Sequence, residues 1–331
     1  MVRRGKGNAP FLRHMTPKRI FHNLRSHPPH GLLDILRWKA GLLPHEPARI
    51  SDAPDAPAPE FQLDVSMIAT PPPYGWRVTW LGHSSFLLQG SGVSLLVDPV
   101  FSSHCAPFPF PVFRRLCEPP CALRELPPID AVLITHSHYD HLDLPTLRRL
   151  GKQIRLVVPE GHAHWFGRSG FANVIEIPWF SSHELVPGVT VTSTPARHFT
   201  SRSLWDRDRA HWCGWLLKGV GRSIWHAGDS GYCEGFQEIG ERLGPIDFGM
   251  IPIGAYQPRR IMRPMHMDPE EAVQVFLDTR CRRAVAMHWG TFRLTDEPMG
   301  EPPILLGKAL EAHGLNKESF IAGAIGQSWD V

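Results

Sequence analysis

Ala131-Val132-Leu133-Ile134-Thr135-His136-Ser137-His138-Tyr139-Asp140-His141 sets a short apolar, β-branched run directly before four metal-ligand side chains. The run has the composition of a strand buried on both faces, and such a strand delivers its ligands at the end where the backbone leaves the sheet. His136 and His138, two residues apart, point the same way from an extended backbone. Asp140 and His141 turn off that line and suit a second metal ion close by. Asp143 and Pro145 read as the cap and first turn of a helix, Leu144–Leu150, that fixes the loop from behind. A lone His-x-His pair is commonly structural, but four such ligands within six residues at a strand end is the pattern of a metal site.

Working outward, residues 76–81, 85–88 and 93–97 read as strands of a hairpin turned at Gly90-Ser91-Gly92. Further strand candidates are residues 154–158, 174–177, 189–193, 212–217, 223–226, 248–253 and 283–287. One arrangement recurs: an apolar strand, then His or Asp, then a Gly or Pro turn, at His136, His198, Asp229 and His288. A helix, Pro269–Asp278, is capped by Asp268 with Glu271 at its third position. The candidate metal ligands are therefore His136, His138, Asp140, His141, His198, Asp229 and His288. This set suits two zinc ions per chain, although iron and manganese accept the same donors. Asp229 can bridge the pair at a spacing of ~3.5 to 4 Å, where water becomes a strong nucleophile at neutral pH. Asp140 is also the candidate for orienting that nucleophile. His83 and Asp98 sit at strand boundaries, where each can orient a ligating imidazole; for His83 a structural hydrogen-bonding role is expected rather than ligation.

Apolar content is ample for a large core in this 331-residue chain. The six cysteines form no Cys-x-x-Cys pair, which argues against a disulfide framework or zinc ribbon and for free thiols in a reducing compartment. His104, Cys105, Cys117 and Cys121 offer a second zinc set, without finger spacing. Residues 1–39 hold nine Lys or Arg against the single acid Asp34, so the basic charge belongs to an N-terminal arm. Within the arm, Leu32, Ile35, Leu36 and Leu43 make one helical face beside Trp38, able to lie on an anionic membrane or to pack on its own domain or a second subunit as a homodimer contact. Eight prolines across residues 44–73 read as an extended connection, which divides the chain into an arm, 1–73, and a catalytic domain, 74–331. Neither a signal segment nor a spanning helix is visible, so a cytoplasmic protein with at most peripheral membrane contact is expected. Basic charge confined to the arm argues against a nucleic-acid partner.

The set His136-x-His138-x-Asp140-His141 with His198, Asp229 and His288 resembles the metallo-β-lactamase superfamily. The wording Trp80-Leu81-Gly82-His83, Gly254-Ala255-Tyr256-x-Pro258-Arg259, His266-x-Asp268-Pro269-Glu270-Glu271-Ala272 and His288-Trp289-Gly290-Thr291-Phe292 further resembles its N-acylphosphatidylethanolamine-hydrolysing phospholipase D branch. The resemblance implies an α/β fold, a four-layer αβ/βα sandwich of two mixed sheets with helices outside. It implies one zinc on His136, His138 and His198, another on Asp140, His141 and His288, and Asp229 between them. It also implies a phospholipid or other phosphodiester substrate, with Tyr139 and His266 lining the pocket. His266 is the candidate acid for the leaving alcohol, and Tyr256 and Arg259 are candidate substrate contacts. The alternatives are a lactonase acting on a phosphorylated sugar lactone and a non-catalytic metal-binding or membrane-scaffold protein.

Overall fold

The computed structural model describes residues 19–25, 32–44, 46–203 and 205–331. Its strands are β1 Trp76–Gly82, β2 Ser85–Gly90, β3 Val93–Val97, β4 Ala131–Leu133, β5 Arg155–Val158, β6 Val174–Glu176, β7 Ser182–Val186, β8 Val189–Thr194, β9 Gly214–Gly219, β10 Arg222–His226, β11 Ile246–Pro252, β12 Cys281–Met287, β13 Phe320–Ile321 and β14 Ser328–Asp330. The helices are α1 Leu32–Lys39, α2 Val65–Ile68, α3 Leu144–Leu150, α4 Ala163–Arg168, α5 Gly235–Arg242, α6 Arg259–Met262, α7 Pro269–Asp278 and α8 Glu301–Ala312. Two seven-stranded sheets result, ordered β14-β1-β2-β3-β4-β5-β6 and β13-β12-β11-β10-β9-β8-β7, each mixing parallel and antiparallel pairs. This is the four-layer αβ/βα sandwich.

The period of two in the strands explains the layering. Along β3 and β4, Leu95, Val97, Ala131 and Leu133 belong to the core between the sheets. Their neighbours Leu96 and Val132 join Ile134 and the α3 residue Leu147 in a second core outside the first sheet. β4 is thus covered on both faces, and His136 follows where it ends. At the other sheet, α7 carries the expected capping box, Asp268 accepting from the Glu271 N–H. Its Ala272, Val273 and Phe276 enter the main core.

Residues 46–73, read as a connection, lie fixed along the catalytic domain. Phe61 N–H donates to Ile325 O at 2.7 Å, Ile325 N–H to Pro59 O at 2.8 Å and Ala58 N–H to Gly290 O at 3.0 Å. Gly290 has φ +70°, and a Cβ there would run into Ala58. The extended strap therefore approaches the backbone just after His288 as only glycine allows. In α1 the expected apolar face is rotated: Trp38 is buried against Ile261, Met262 and Met265, with Ile35 and Leu43 alongside, while Leu36 is exposed. The cause is polar: the Trp38 indole donates to Asp296 at 2.6 Å, which pulls that side of the helix inward. The Leu32 side chain lies outside the described residues.

Candidate metal centre

The described side chains form two ligand groups of four, His136, His138, His198 and Asp229, and His83, Asp140, His141 and His288, and a third of three, Asp229, His266 and His288, that overlaps both; in each the ligand atoms lie within 4.8 Å of one another. All seven expected ligands thus lie in one place, joined by His83. Asp229 stands between the groups, its Oδ2 at 3.0 Å from His288 Nε2, 3.1 Å from His141 Nε2, 3.8 Å from His198 Nε2 and 3.9 Å from His136 Nε2. The turn that delivers it needs Gly228 at φ +66°, where a Cβ would strike the Cys213 carbonyl. His83, Asp98 and His288 also hold positive φ, at 51°, 43° and 62°. Non-glycine residues adopt that region at a cost, and here it accompanies His83 and His288 facing Asp140 and Asp98 backing His141.

The first group faces inward through His136 Nε2, His138 Nδ1 and His198 Nε2, with the His138 nitrogen 2.8 Å and 3.1 Å from the other two. Their far sides are held by neutral partners. His198 Nδ1–H donates to Met265 O at 2.9 Å. Thr135 Oγ1 donates to Asp98 and lies 3.0 Å from His136 Nδ1, so it accepts the proton there. Each bond leaves the inward nitrogen with its lone pair. Burial, reinforced by neighbouring imidazoles, pushes His138 down to about 4, His198 down to about 3 and His136 well below the ordinary imidazole range, so all three are neutral donors at pH 7.

Carboxylates back the second group. Asp98 Oδ2 accepts His141 Nδ1–H at 2.7 Å, and Asp140 Oδ2 lies 3.0 Å from His83 Nε2 and 3.4 Å from His288 Nε2. Burial works against charge here, but Asp229 and Asp140 outweigh it and lift His288 to about 9 and His141 well above its ordinary value. Conversely, burial opposes ionisation of Asp229 and Asp140, yet the facing imidazoles hold both well below the carboxylate range.

These residues fit divalent metal. Asp229 Oδ1 is buried without a hydrogen-bond partner, and His141 Nε2 and His288 Nε2 stand at ion-pair distance from Asp229 Oδ2 without a well-formed hydrogen bond to it, a costly arrangement unless a ligand satisfies them. Neutral imidazoles with carboxylates is a donor set that zinc, iron and manganese accept.

A cleft of about 220 Å³ opens onto the groups. His138, Asp140, Asp229 and His266 supply its polar side, and Ile35, Phe199, Met262, Met265 and Leu294 its apolar walls. His266 Nδ1 is 3.9 Å from Asp229 Oδ2, and burial holds this imidazole neutral. The other expected substrate contacts are engaged elsewhere, and none lines the cleft. Tyr256 is fully buried, its hydroxyl donating to Glu301 at 2.6 Å, because Glu297 gathers the N–H groups of Ala255, Tyr256 and Gln257 and turns that segment into the core. Arg259 is spent on Glu271 at 2.7 Å and on His266 O at 2.9 Å, which fixes the His266 loop to α7. Tyr139 donates to Arg202 O at 3.1 Å and lies under the Arg202 guanidinium. The cysteines proposed as a second zinc set fall into three separate cores, Cys105, Cys117 and Cys121 each facing different neighbours.

Residues 94–289 match the β-lactamase superfamily domain. The chain belongs to that superfamily. It is a metal-dependent hydrolase by family. It is 37% identical over 271 residues to an N-acyl-phosphatidylethanolamine-hydrolyzing phospholipase D 1 of Caenorhabditis elegans, covering 78% of this chain and 76% of that protein. It is 35% identical over 253 residues to a mitochondrial enzyme of the same description from Saccharomyces cerevisiae, covering 73% of this chain and 53% of that longer protein. Among solved structures, a metallo hydrolase of Ignicoccus hospitalis superposes with a TM-score of 0.60 at 25% identity, covering 77% of this chain and 98% of that one.

Two contributors escaped the sequence reading. For His83 it was the place among the ligands that escaped: the expected hydrogen bond is there, to Asp140 at 3.0 Å, but the ring also falls within the second group. Asn23, in the arm, holds the backbone of His198 from both sides: His198 N–H donates to its Oδ1 at 3.0 Å and its Nδ2 donates to His198 O at 2.9 Å. Nothing local in the sequence marks that asparagine.

Proposed function

We propose that the chain is a dinuclear zinc phosphodiesterase of the phospholipase D type, cleaving N-acyl phosphatidylethanolamine to N-acylethanolamine and phosphatidic acid. One observation carries the reading: the cleft pairs a metal-ligand floor with apolar walls, which suits an amphiphile whose phosphodiester must reach the floor while its chains stay out of water. The descriptions of the worm and yeast relatives point the same way.

Two zinc ions, held by His136, His138 and His198 and by Asp140, His141 and His288 with Asp229 shared, would supply Lewis-acid polarisation of the phosphoryl group and activation of water. The chain's own residues do the rest. Asp140, at the cleft and bonded to His83, would orient the attacking water. His266, neutral at rest, would donate a ring N–H hydrogen bond to the leaving oxygen and stabilise the charge that develops there, the alcohol taking its proton from water. His266→Ala should therefore slow alkyl phosphodiesters far more than activated aryl ones, and equal losses on both would remove it from this role.

Lipid delivery belongs to the same proposal. Leu33, Leu36 and Leu42 are exposed on and after α1, whose Ile35 lines the cleft, and this apolar edge suits peripheral contact with an anionic bilayer. No helix among the described residues is long and apolar enough to cross a membrane. Turnover by zinc-loaded protein on N-acyl phosphatidylethanolamine vesicles, a soluble alkyl phosphodiester and a phosphorylated lactone tests the assignment. Cleavage of the lactone alone would replace it with the lactonase reading.

A further inference from the structure

Among the described residues, Arg207 is the only Lys or Arg that lines the cleft. Its guanidinium carbon stands 4.5 Å over the Phe199 ring, and that ring packs 4.5 Å from the ring of His138, a member of the first ligand group. The neighbouring cations serve the scaffold instead. Arg202 donates to the carbonyls of Ser137 and Leu142, both at 2.8 Å, bracing the metal-ligand loop. Arg259 is bound to Glu271 and to the His266 carbonyl. Lys39 reaches Leu294 O at 3.2 Å and lies on Trp38. For Arg207 the nearest carboxylate is Asp208, 3.6 Å from its Nε, beyond good hydrogen-bond distance. A flat guanidinium resting on an aromatic face is ordered before ligand arrives, and its fork matches the oxygens of a phosphate.

We propose that Arg207 is the specificity-determining residue of the cleft, binding an anionic oxygen of the substrate beside the first ligand group. This rests on the reading of the cleft as the substrate site, and not on which bond is cut. The anionic group has two possible sources: the scissile phosphodiester itself, or a phosphate carried elsewhere on the substrate. The apolar wall of Ile35, Met262 and Met265 takes the uncharged remainder.

The test uses zinc-loaded full-length protein with Arg207→Ala and Arg207→Lys. A hydrogen bond to a charged group is worth about 10- to 100-fold. Arg207→Ala should lower kcat/KM on a short-chain N-acyl phosphodiester or a phosphorylated lactone by that factor. The loss on an uncharged lactone should be at least about tenfold smaller. Arg207→Lys, which keeps charge but not the fork, should fall between. A loss confined to the phosphorylated lactone assigns Arg207 to an appended phosphate and takes it away from the scissile phosphodiester, while the subsite stands whichever bond is cut. Equal losses on charged and uncharged substrates, or none on either, overturn the proposal. Inhibition by inorganic phosphate supplies a readout independent of the substrate: it should weaken in Arg207→Ala with zinc content unchanged, and undiminished inhibition would also overturn the subsite.

Discussion

The two ligand groups have nearly the same donors and share Asp229, yet their supports differ in kind. His136 and His198 are held from behind by a hydroxyl and a carbonyl, and the backbone of His198 by the Asn23 amide. His141 and His83 are held by the carboxylates of Asp98 and Asp140. Without metal, the first group is therefore a set of neutral lone pairs aimed at one point, while the second is a charged network of imidazolium and carboxylate. The difference teaches that similar ligand lists need not bind alike. A metal entering the first group displaces no proton from it; one entering the second must first drive protons off His141 and His288.

Removing what the groups share should have the largest effect. Asp229→Ala should cost at least about a thousandfold in turnover, with zinc lost from both groups, since its Oδ2 touches both and Oδ1 has no other partner. Elemental analysis that found two zinc ions in a fully active variant would break the picture of a common carboxylate.

Acid and base should next separate the groups. Titrating metal-stripped protein with zinc, affinity at the second group should rise steeply with pH towards about 9, where His288 gives up its proton, whereas the first group should bind with little change above about 4. Stability of the stripped protein follows from the same shifts. His288, raised when folded, contributes stability that is full below ~6.5, the unfolded value, and is lost as pH rises through about 9. His138 and His198, lowered when folded, cost stability as pH falls from ~6.5 towards their folded values of about 4 and about 3. The melting temperature without metal should therefore peak near neutral pH and fall on both sides, and a monotonic profile would count against opposite charge states in the two groups.

The supports themselves come next. Asp98→Ala removes the acceptor behind His141 and the anchor of the Thr135 hydroxyl behind His136, so zinc affinity should fall by about 10- to 100-fold, chiefly at the second group. Asn23→Ala removes only a brace on the His198 backbone, and a roughly tenfold or smaller loss confined to the first group is expected. Cobalt substitution reads the two sites by their spectra; an Asn23→Ala protein whose second site weakened instead would contradict the division.

The same division explains what the sequence could and could not disclose. The ligands of the second sheet's strand ends and the β4 loop are legible because each follows an apolar run and each is a residue type with a specific affinity for metal. Supports are less legible because their meaning depends on distant partners: Asp98 meets His141 across 43 residues and Asn23 meets His198 across 175. The partners of Tyr256 and Arg259 were not legible either, because a polar residue in a distinctive motif can also bond to the scaffold, here to Glu301 and to the His266 carbonyl. In α1, periodicity located the helix but not its orientation, which one indole bond to Asp296 decides. Helix α8 was missed because Pro302, Pro303 and Gly307 interrupt its pattern, though its buried Leu306 and Leu310 pack into the main core.

The smallest effect on either ligand group should come from changing the exposed edge of α1, and that makes it the cleanest test of lipid delivery. Deleting residues 1–43 is unsuitable, because it takes away Asn23, which braces His198, and Trp38, which packs on α6, so activity would fall on every substrate. Replacing Leu33, Leu36 and Leu42 together by Ser touches neither, since all three are exposed and none lines the cleft. Each lost apolar side chain weakens shallow burial in a bilayer, while neighbouring Arg37 continues to attract anionic lipid. Turnover on anionic vesicles should fall several-fold and become more sensitive to salt, since the remaining attraction is electrostatic and screened. Soluble phosphodiester turnover, zinc content and melting temperature should stay as in the parent protein. Unchanged vesicle turnover, with unchanged flotation on anionic liposomes, would show that this edge does not hold the substrate surface and would leave the metal groups to meet their substrate from solution.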